Sequence, residues 1–215
     1  MPETTKLPAL LERIFHKRGA DIGIALAALF VSAVSLWVGV RTENANEQLV
    51  AASTWPFLQV QISNADEADA KLDLQFQVVN TGVGPAKIES FEVFWKGRPF
   101  RSAIELLTRC CGYKFVKATS PDAKNHTPLT TGTVQGIVLR AGEPELFIHY
   151  RLGADNLAVW SALDKAREQM TYRICYCSVL DECWRSALRS ELYFPGQLHP
   201  ERVTTCPTPA VAYTK

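Results

Sequence analysis

Residues 72–97 read LDLQFQVVNTGVGPAKIESFEVFWKG, and this stretch decides the fold. Leu72, Leu74, Phe76 and Val78 alternate with Asp73, Gln75 and Gln77. That two-residue period belongs to a strand with one face on a core and the other, with Lys71, pointing outward. Phe91, Val93 and Trp95 repeat the alternation in a second strand that ends in a turn at Lys96-Gly97-Arg98. Asn80-Thr81-Gly82-Val83-Gly84-Pro85-Ala86 connects the two. Its glycines suit positive φ, and Pro85 lacks the amide hydrogen that would extend a ladder.

The pattern continues on both sides. Leu58, Val60 and Ile62 share one face of an earlier strand. Further strands are expected over residues 133–139, 145–152, 171–178 and 183–192, with a turn at Ala141-Gly142-Glu143-Pro144. A short helix suits residues 102–109, and Leu157, Trp160 and Leu163 are spaced for a second one within residues 154–170. Residues 119–131, rich in Pro, Thr and Asn, read as a loop. About seven strands with one or two helical insertions predict a mainly β fold, an antiparallel β-sandwich.

The 72–97 segment also resembles the N-x-G-x-G-x-A hairpin of bacterial immunoglobulin-like modules, including CARDB-type adhesion and surface domains. Together with the later Cys175-Tyr176-Cys177-Ser178 element it is similar to membrane-anchored bacterial proteins of unknown function. The resemblance implies an immunoglobulin-like sandwich and carries no activity with it.

Upstream, Ile22 to Val40 is IGIALAALFVSAVSLWVGV, nineteen residues without a charge. A helix of that length spans a hydrocarbon core. Arg41 follows directly and no small-x-small cleavage site is evident, so an uncleaved anchor is expected rather than a signal peptide. Lys6, Arg13, Lys17 and Arg18 precede the span, which predicts a cytoplasmic N-terminus and a single-pass protein of the cytoplasmic membrane. The C-terminal domain then lies in the periplasm or outside. Leu7, Leu10, Leu11, Ile14 and Phe15 recur at helical spacing, as in an interfacial amphipathic helix. The expected organisation is a cytoplasmic segment (1–21), the span (22–40), a helical stalk (41–54), the sandwich (55–194) and a Pro/Thr-rich tail (195–215).

Within the span, Ala28, Ser32, Ser35 and Gly39, with Ala25, form a stripe of small residues that would let two copies pack closely as a homodimer. The bilayer is the first expected partner, and a protein of the cell envelope the second. Net charge is +1, and the exported part is nearly balanced, so nucleic acid is not expected.

All six cysteines, Cys110, Cys111, Cys175, Cys177, Cys183 and Cys206, follow the span, on the side where disulfides persist. Cys175 and Cys177 share one strand face, opposite Tyr172, Ile174 and Tyr176. If Cys177 faces Cys183 across a hairpin, Tyr176 faces Trp184 and Tyr172 faces Leu188, so a Cys177–Cys183 disulfide is the first choice. A direct Cys110–Cys111 bond is disfavoured by the trans peptide within its ring, and these two are expected to reach Cys175 and Cys206 separately. Other connectivities stay open. The alternative is a thiol redox or copper/zinc-handling protein using Cys175, Cys177 and Cys183. Cys-x-x-Cys spacing and a nearby His are both missing there, so no metal and no cofactor are expected.

His149 shares a strand face with Phe147 and Arg151 and reads as an ordinary surface residue; His16, His126 and His199 lie elsewhere. With no G-x-S-x-G, H-E-x-x-H, Walker or dinucleotide motif, no enzyme activity is expected. The predicted role is that of an anchored, disulfide-stabilised binding module, using strand edges and the 119–131 loop.

Overall fold

A computed structural model of the chain describes residues 7–66, 71–117, 119–120, 127–189 and 200–214. The chain divides into two compact units, Met1–Val50 and Ala51–Lys215.

The first unit is helical. Helix α1 (Leu7–Ser53) runs without interruption, and its stretch Ile22–Ser53 is long and apolar enough to cross a membrane. The side chains from Ile22 to Val40 are exposed throughout, so no protein core accounts for their apolarity. Residues 41–53 contain neither Gly nor Pro, and the helix extends through them to Ser53. Pro56, which biases Trp55 toward extended backbone, stands just beyond its end.

The second unit is mainly β. Its elements are β1 (Leu58–Asp66), β2 (Lys71–Asn80), β3 (Ala86–Trp95), β4 (Arg98–Phe100), α2 (Ala103–Cys111), β5 (Leu129–Thr131) and β6 (Val138–Leu139). There follow β7 (Pro144–Arg151), α3 (Leu157–Ala166), a 3-10 turn at Arg167–Gln169, β8 (Met170–Cys177), β9 (Cys183–Arg189) and β10 (Glu201–Val203). One sheet has the order β1-β2-β7-β5, the other β10-β9-β8-β3-β4 with β6 also on β3; every pairing is antiparallel.

Both sheets feed one core. Phe147 of β7 meets Phe91 of β3 edge-on at 5.1 Å between ring centroids and Tyr172 of β8 at 5.8 Å, which joins the two layers. The alternating apolar residues Leu74, Phe76 and Val78 are fully buried. Helix α2 starts at Ser102, whose Oγ accepts from Glu105 N at 3.2 Å while Glu105 Oε2 accepts from Arg101 N at 2.9 Å. It ends at Gly112, in left-handed backbone at φ 70°.

Several expectations are corrected. Gly82 and Gly84 do not have positive φ; they are needed because the incoming chain crosses them. A Cβ on Gly84 would lie 2.1 Å from Thr54 O, and one on Gly82 2.4 Å from Phe57 N. Residues 133–139 form a strand only at Val138–Leu139, because Gly136 takes φ 81° and turns the chain. The loop expected over 119–131 instead ends in β5, where Gly132 lets the backbone approach Leu146 O; residues 118 and 121–126 lie outside the described residues. Past residue 195, the stretch read as a tail contributes β10 and a fully buried Tyr213.

Candidate functional site

The strand β8 carries the densest chemistry. Tyr172, Ile174 and Tyr176 enter the core, so Cys175 and Cys177 project from the opposite face. Across the β8–β9 hairpin Cys177 stands opposite Cys183, Tyr176 opposite Trp184 and Tyr172 opposite Leu188. Cys177 and Cys183 are disulfide-bonded with their Cα atoms 4.0 Å apart.

The other two pairs correct the sequence expectation: Cys175 is bonded to Cys206, and Cys110 to Cys111. Cys110 and Cys111 sit at the end of α2 and pack against the core, whereas Cys175 lies on the far face of the sheet. The sheet itself separates them. Cys206 comes to Cys175 because β10 pairs with β9, Val203 opposite Cys183, which carries the chain over β8 three residues later. Beyond Cys206 the chain continues to β3, where Tyr213 N donates to Phe91 O at 2.9 Å, and to the residue after β4, where Thr214 N donates to Arg101 O at 2.7 Å. The Tyr213 ring packs on Phe91 and Phe147, and its hydroxyl donates to Phe147 O at 3.3 Å. Residues 201–214 are therefore a strap, stapled to β8 at one end and plugged into the core at the other.

The two disulfides on β8 touch. Cys177 Sγ is 3.9 Å from Cys206 Sγ, and the sulfurs of Cys177, Cys183 and Cys206 all lie within 4.8 Å of one another. In this state all four sulfurs of the cluster are engaged in disulfides. Of the set Cys175, Cys177 and Cys183 named from sequence, the structure brings Cys177 and Cys183 together with Cys206, and Cys175 stands outside that close group as the disulfide partner of Cys206. Cations flank it: Lys87 on β3 is the register partner of Cys177, and Arg185 on β9 that of Cys175. Lys87 is ion-paired with Asp181 at the hairpin tip, which holds its ammonium above the usual lysine range through the hydrogen bond to that carboxylate. Arg185 pairs with Glu201 at 2.6 Å, and Arg202 pairs with Glu182. The tip is fixed by Ser178, whose N donates to Glu182 O at 2.8 Å and whose Oγ accepts from Leu180 N at 3.1 Å, while Val179 and Leu180 stay exposed.

A second constellation lies on the other sheet. Asp73, expected to point to solvent, is fully buried. Its Oδ2 lies 2.8 Å from His149 Nε2 and accepts from Gln75 Nε2 at 3.1 Å. The cross-strand register puts Gln75 opposite His149. The Asp73 carboxylate thus orients the His149 imidazole. Sequence reasoning missed Asp73 because alternation reports the face of a strand and not what covers that face.

It also missed Asn80. This buried side chain donates to Gly84 O at 2.8 Å and Leu139 O at 3.0 Å, and accepts from Gly82 N at 3.1 Å and Phe57 N at 3.3 Å. The four bonds use its full capacity and hold the chain entry, the loop and β6 together.

In α1, Ser32 and Ser35 donate to Ala28 O and Val31 O of the preceding turn, both at 2.8 Å, and Gly39 has nothing within 4 Å of its Cβ position. The side chain of His16 and the residues His126 and His199 lie outside the described parts.

Strand β1 is the outer strand of its sheet, with no neighbour beyond it among the described residues. Its part before the register shift at Ser63/Ala65, LQVQIS, contains no charge and no proline. The chain matches no known protein family, and no curated protein and no solved structure is similar to it.

Proposed function

We propose that the chain is a single-pass anchor of the cytoplasmic membrane that presents an immunoglobulin-like, disulfide-stabilised binding module on the extracytoplasmic side. The apolar helix supports anchoring, and the basic residues ahead of it support a cytoplasmic N-terminus. Six cysteines, all paired and all after the span, fit an oxidising compartment.

The edge of β1 carries the reading of a binding module. Sheet edges expose backbone donors and acceptors, and natural proteins blunt them with charges, prolines or bulges. Residues 60–63 carry no charge and no proline before the bulge that follows Ser63. Leu58 and Val60 are buried in the core while Gln61 faces outward, and Gln61 Oε1 accepts from Gln77 Nε2 at 3.2 Å. The bound partner is an extended segment of an envelope protein that adds a strand here, its affinity supplied by main-chain hydrogen bonds.

Two lysines on this edge test the proposal. Gln61→Lys with Ser63→Lys should abolish partner co-isolation after cross-linking from membranes and leave the thermal unfolding midpoint within a few degrees. Unchanged co-isolation would remove the edge as the binding surface.

A further inference from the structure

We infer that the disulfides Cys175–Cys206 and Cys177–Cys183 form one exchange unit that takes two electrons from a dithiol and moves the surviving disulfide to Cys177–Cys206. This inference is independent of the β1 edge. It rests on the contact between Cys177 Sγ and Cys206 Sγ at 3.9 Å, made by sulfurs that belong to different bonds.

Burial orders the events. Cys175, Cys177 and Cys183 are buried, whereas Cys206 is partly exposed and is the sulfur an external thiolate reaches first. One thiolate of a dithiol attacks Cys206 Sγ, the Cys175–Cys206 bond breaks, and Cys175 leaves as a thiolate and takes up a proton. The second thiol of the reagent loses its proton and attacks the first sulfur, closing the reagent's own disulfide and releasing Cys206 as a thiolate. The dithiol has then lost two electrons and the protein has gained two.

The Cys206 thiolate lies beside the Cys177–Cys183 bond, its sulfur within 4.8 Å of both partners, and swings about its own χ1 into line with that bond. It attacks Cys177 Sγ, the Cys177–Cys183 bond breaks, Cys177–Cys206 forms, and Cys183 leaves and is protonated. No electrons enter in this step, and the two protons of the dithiol end on Cys175 and Cys183. Lys87 and Arg185 stand opposite Cys177 and Cys175 on the neighbouring strands, each ion-paired in the folded protein, with Asp181 and Glu201 respectively. The consequence is directional: the hairpin tip at 178–182 loses its staple while the C-terminal strap stays tied to β8.

The test uses the full chain in detergent, isolated without reductant and exposed to one equivalent of dithiothreitol before alkylation. Cleavage after Arg173, Arg185 and Arg202 and before Asp181 separates residues 174–180, 181–185 and 203–215. The expected product links 174–180 to 203–215, with one alkyl group on Cys175 and one on Cys183. Reduced molecules that carry alkyl groups only on Cys175 with Cys206, or only on Cys177 with Cys183, would overturn the inference. A second reading comes from the chain with Cys175→Ser and Cys183→Ser. With oxidised glutathione as the two-electron acceptor it should form Cys177–Cys206, with a mass two hydrogens below the dithiol form. Two alkylatable thiols in a variant with native near-ultraviolet dichroism would equally overturn it.

Discussion

Cys177 Sγ and Cys206 Sγ approach to 3.9 Å although each is bonded to another cysteine. One strand, β8, thereby holds both the hairpin that precedes β9 and the strap that ends the chain. The arrangement follows from two ordinary facts: side chains alternate along a strand, and β10 pairs with β9 just before Cys206.

The two staples differ in the chain they close. Cys175–Cys206 spans 31 positions and Cys177–Cys183 spans 6. Loop-closure entropy assigns them about 3.5 and about 2 kcal/mol. Replacing Cys175 and Cys206 by serine should therefore lower stability more than replacing Cys177 and Cys183, as read by denaturant titration of tryptophan fluorescence. The reverse order would mean that the strap contributes little to the folded domain.

Asn80 should be among the least replaceable polar residues. Asn80→Ala leaves buried partners on the entry chain, the loop and β6 unsatisfied, at a cost of about 2–4 kcal/mol. Gly84→Ala should be similarly damaging, since its Cβ would fall 2.1 Å from Thr54 O, whereas Gly39→Ala in α1 meets nothing within 4 Å. Thermal unfolding of the three variants checks the order.

Tyr213 makes the end of the chain structural. Its ring is buried against Phe91 and Phe147, and Tyr213→Ala should cost about 3–5 kcal/mol, the range for a large aromatic truncated in a core. Limited proteolysis should then cut within residues 204–212 far faster than in the parent chain.

Alkaline pH should destabilise the domain. Burial pushes the hydroxyls of Tyr172 and Tyr213 above the ordinary tyrosine range. The folded state keeps their protons after the unfolded state releases them near pH 10, so the unfolded state binds fewer protons and stability falls as pH rises. Stability should be flat with respect to these groups below about pH 9 and fall above about pH 10, by up to about 1.4 kcal/mol per pH unit for each tyrosine. Urea titrations from pH 7 to 11 read the slope, and Tyr172→Phe should reduce it.

Much of this fold was legible in the sequence. The alternation of Leu74, Phe76 and Val78, the apolar run from Ile22 and the pairing of Tyr176 with Trp184 are local patterns, and the structure follows them. What was not legible depends on the third dimension. The glycines of the Asn80 loop read as a turn, but their role is set by the segment Thr54 to Phe57, which crosses them from 25 to 30 positions earlier in the sequence. Asp73 carried the polar half of an alternation and ended buried beside His149, seventy-six positions away. The Cys110–Cys111 pair could not be read because local strain disfavoured it, while the sheet that keeps these residues from Cys175 has no local signature.

A cross-linking scan of β1 in membranes decides whether its edge binds a protein. A photo-cross-linking amino acid is placed singly at Leu58, Gln59, Val60, Gln61, Ile62 and Ser63 of the full chain, and at Arg173 on the other sheet as a reference. One discrete protein adduct is expected from Gln61 and Ser63, none from the core-facing Leu58 and Val60, and the adduct should be lost on adding a lysine at the other edge position. Adducts absent all along β1, or equally strong from Arg173, would contradict a binding module that works through this edge.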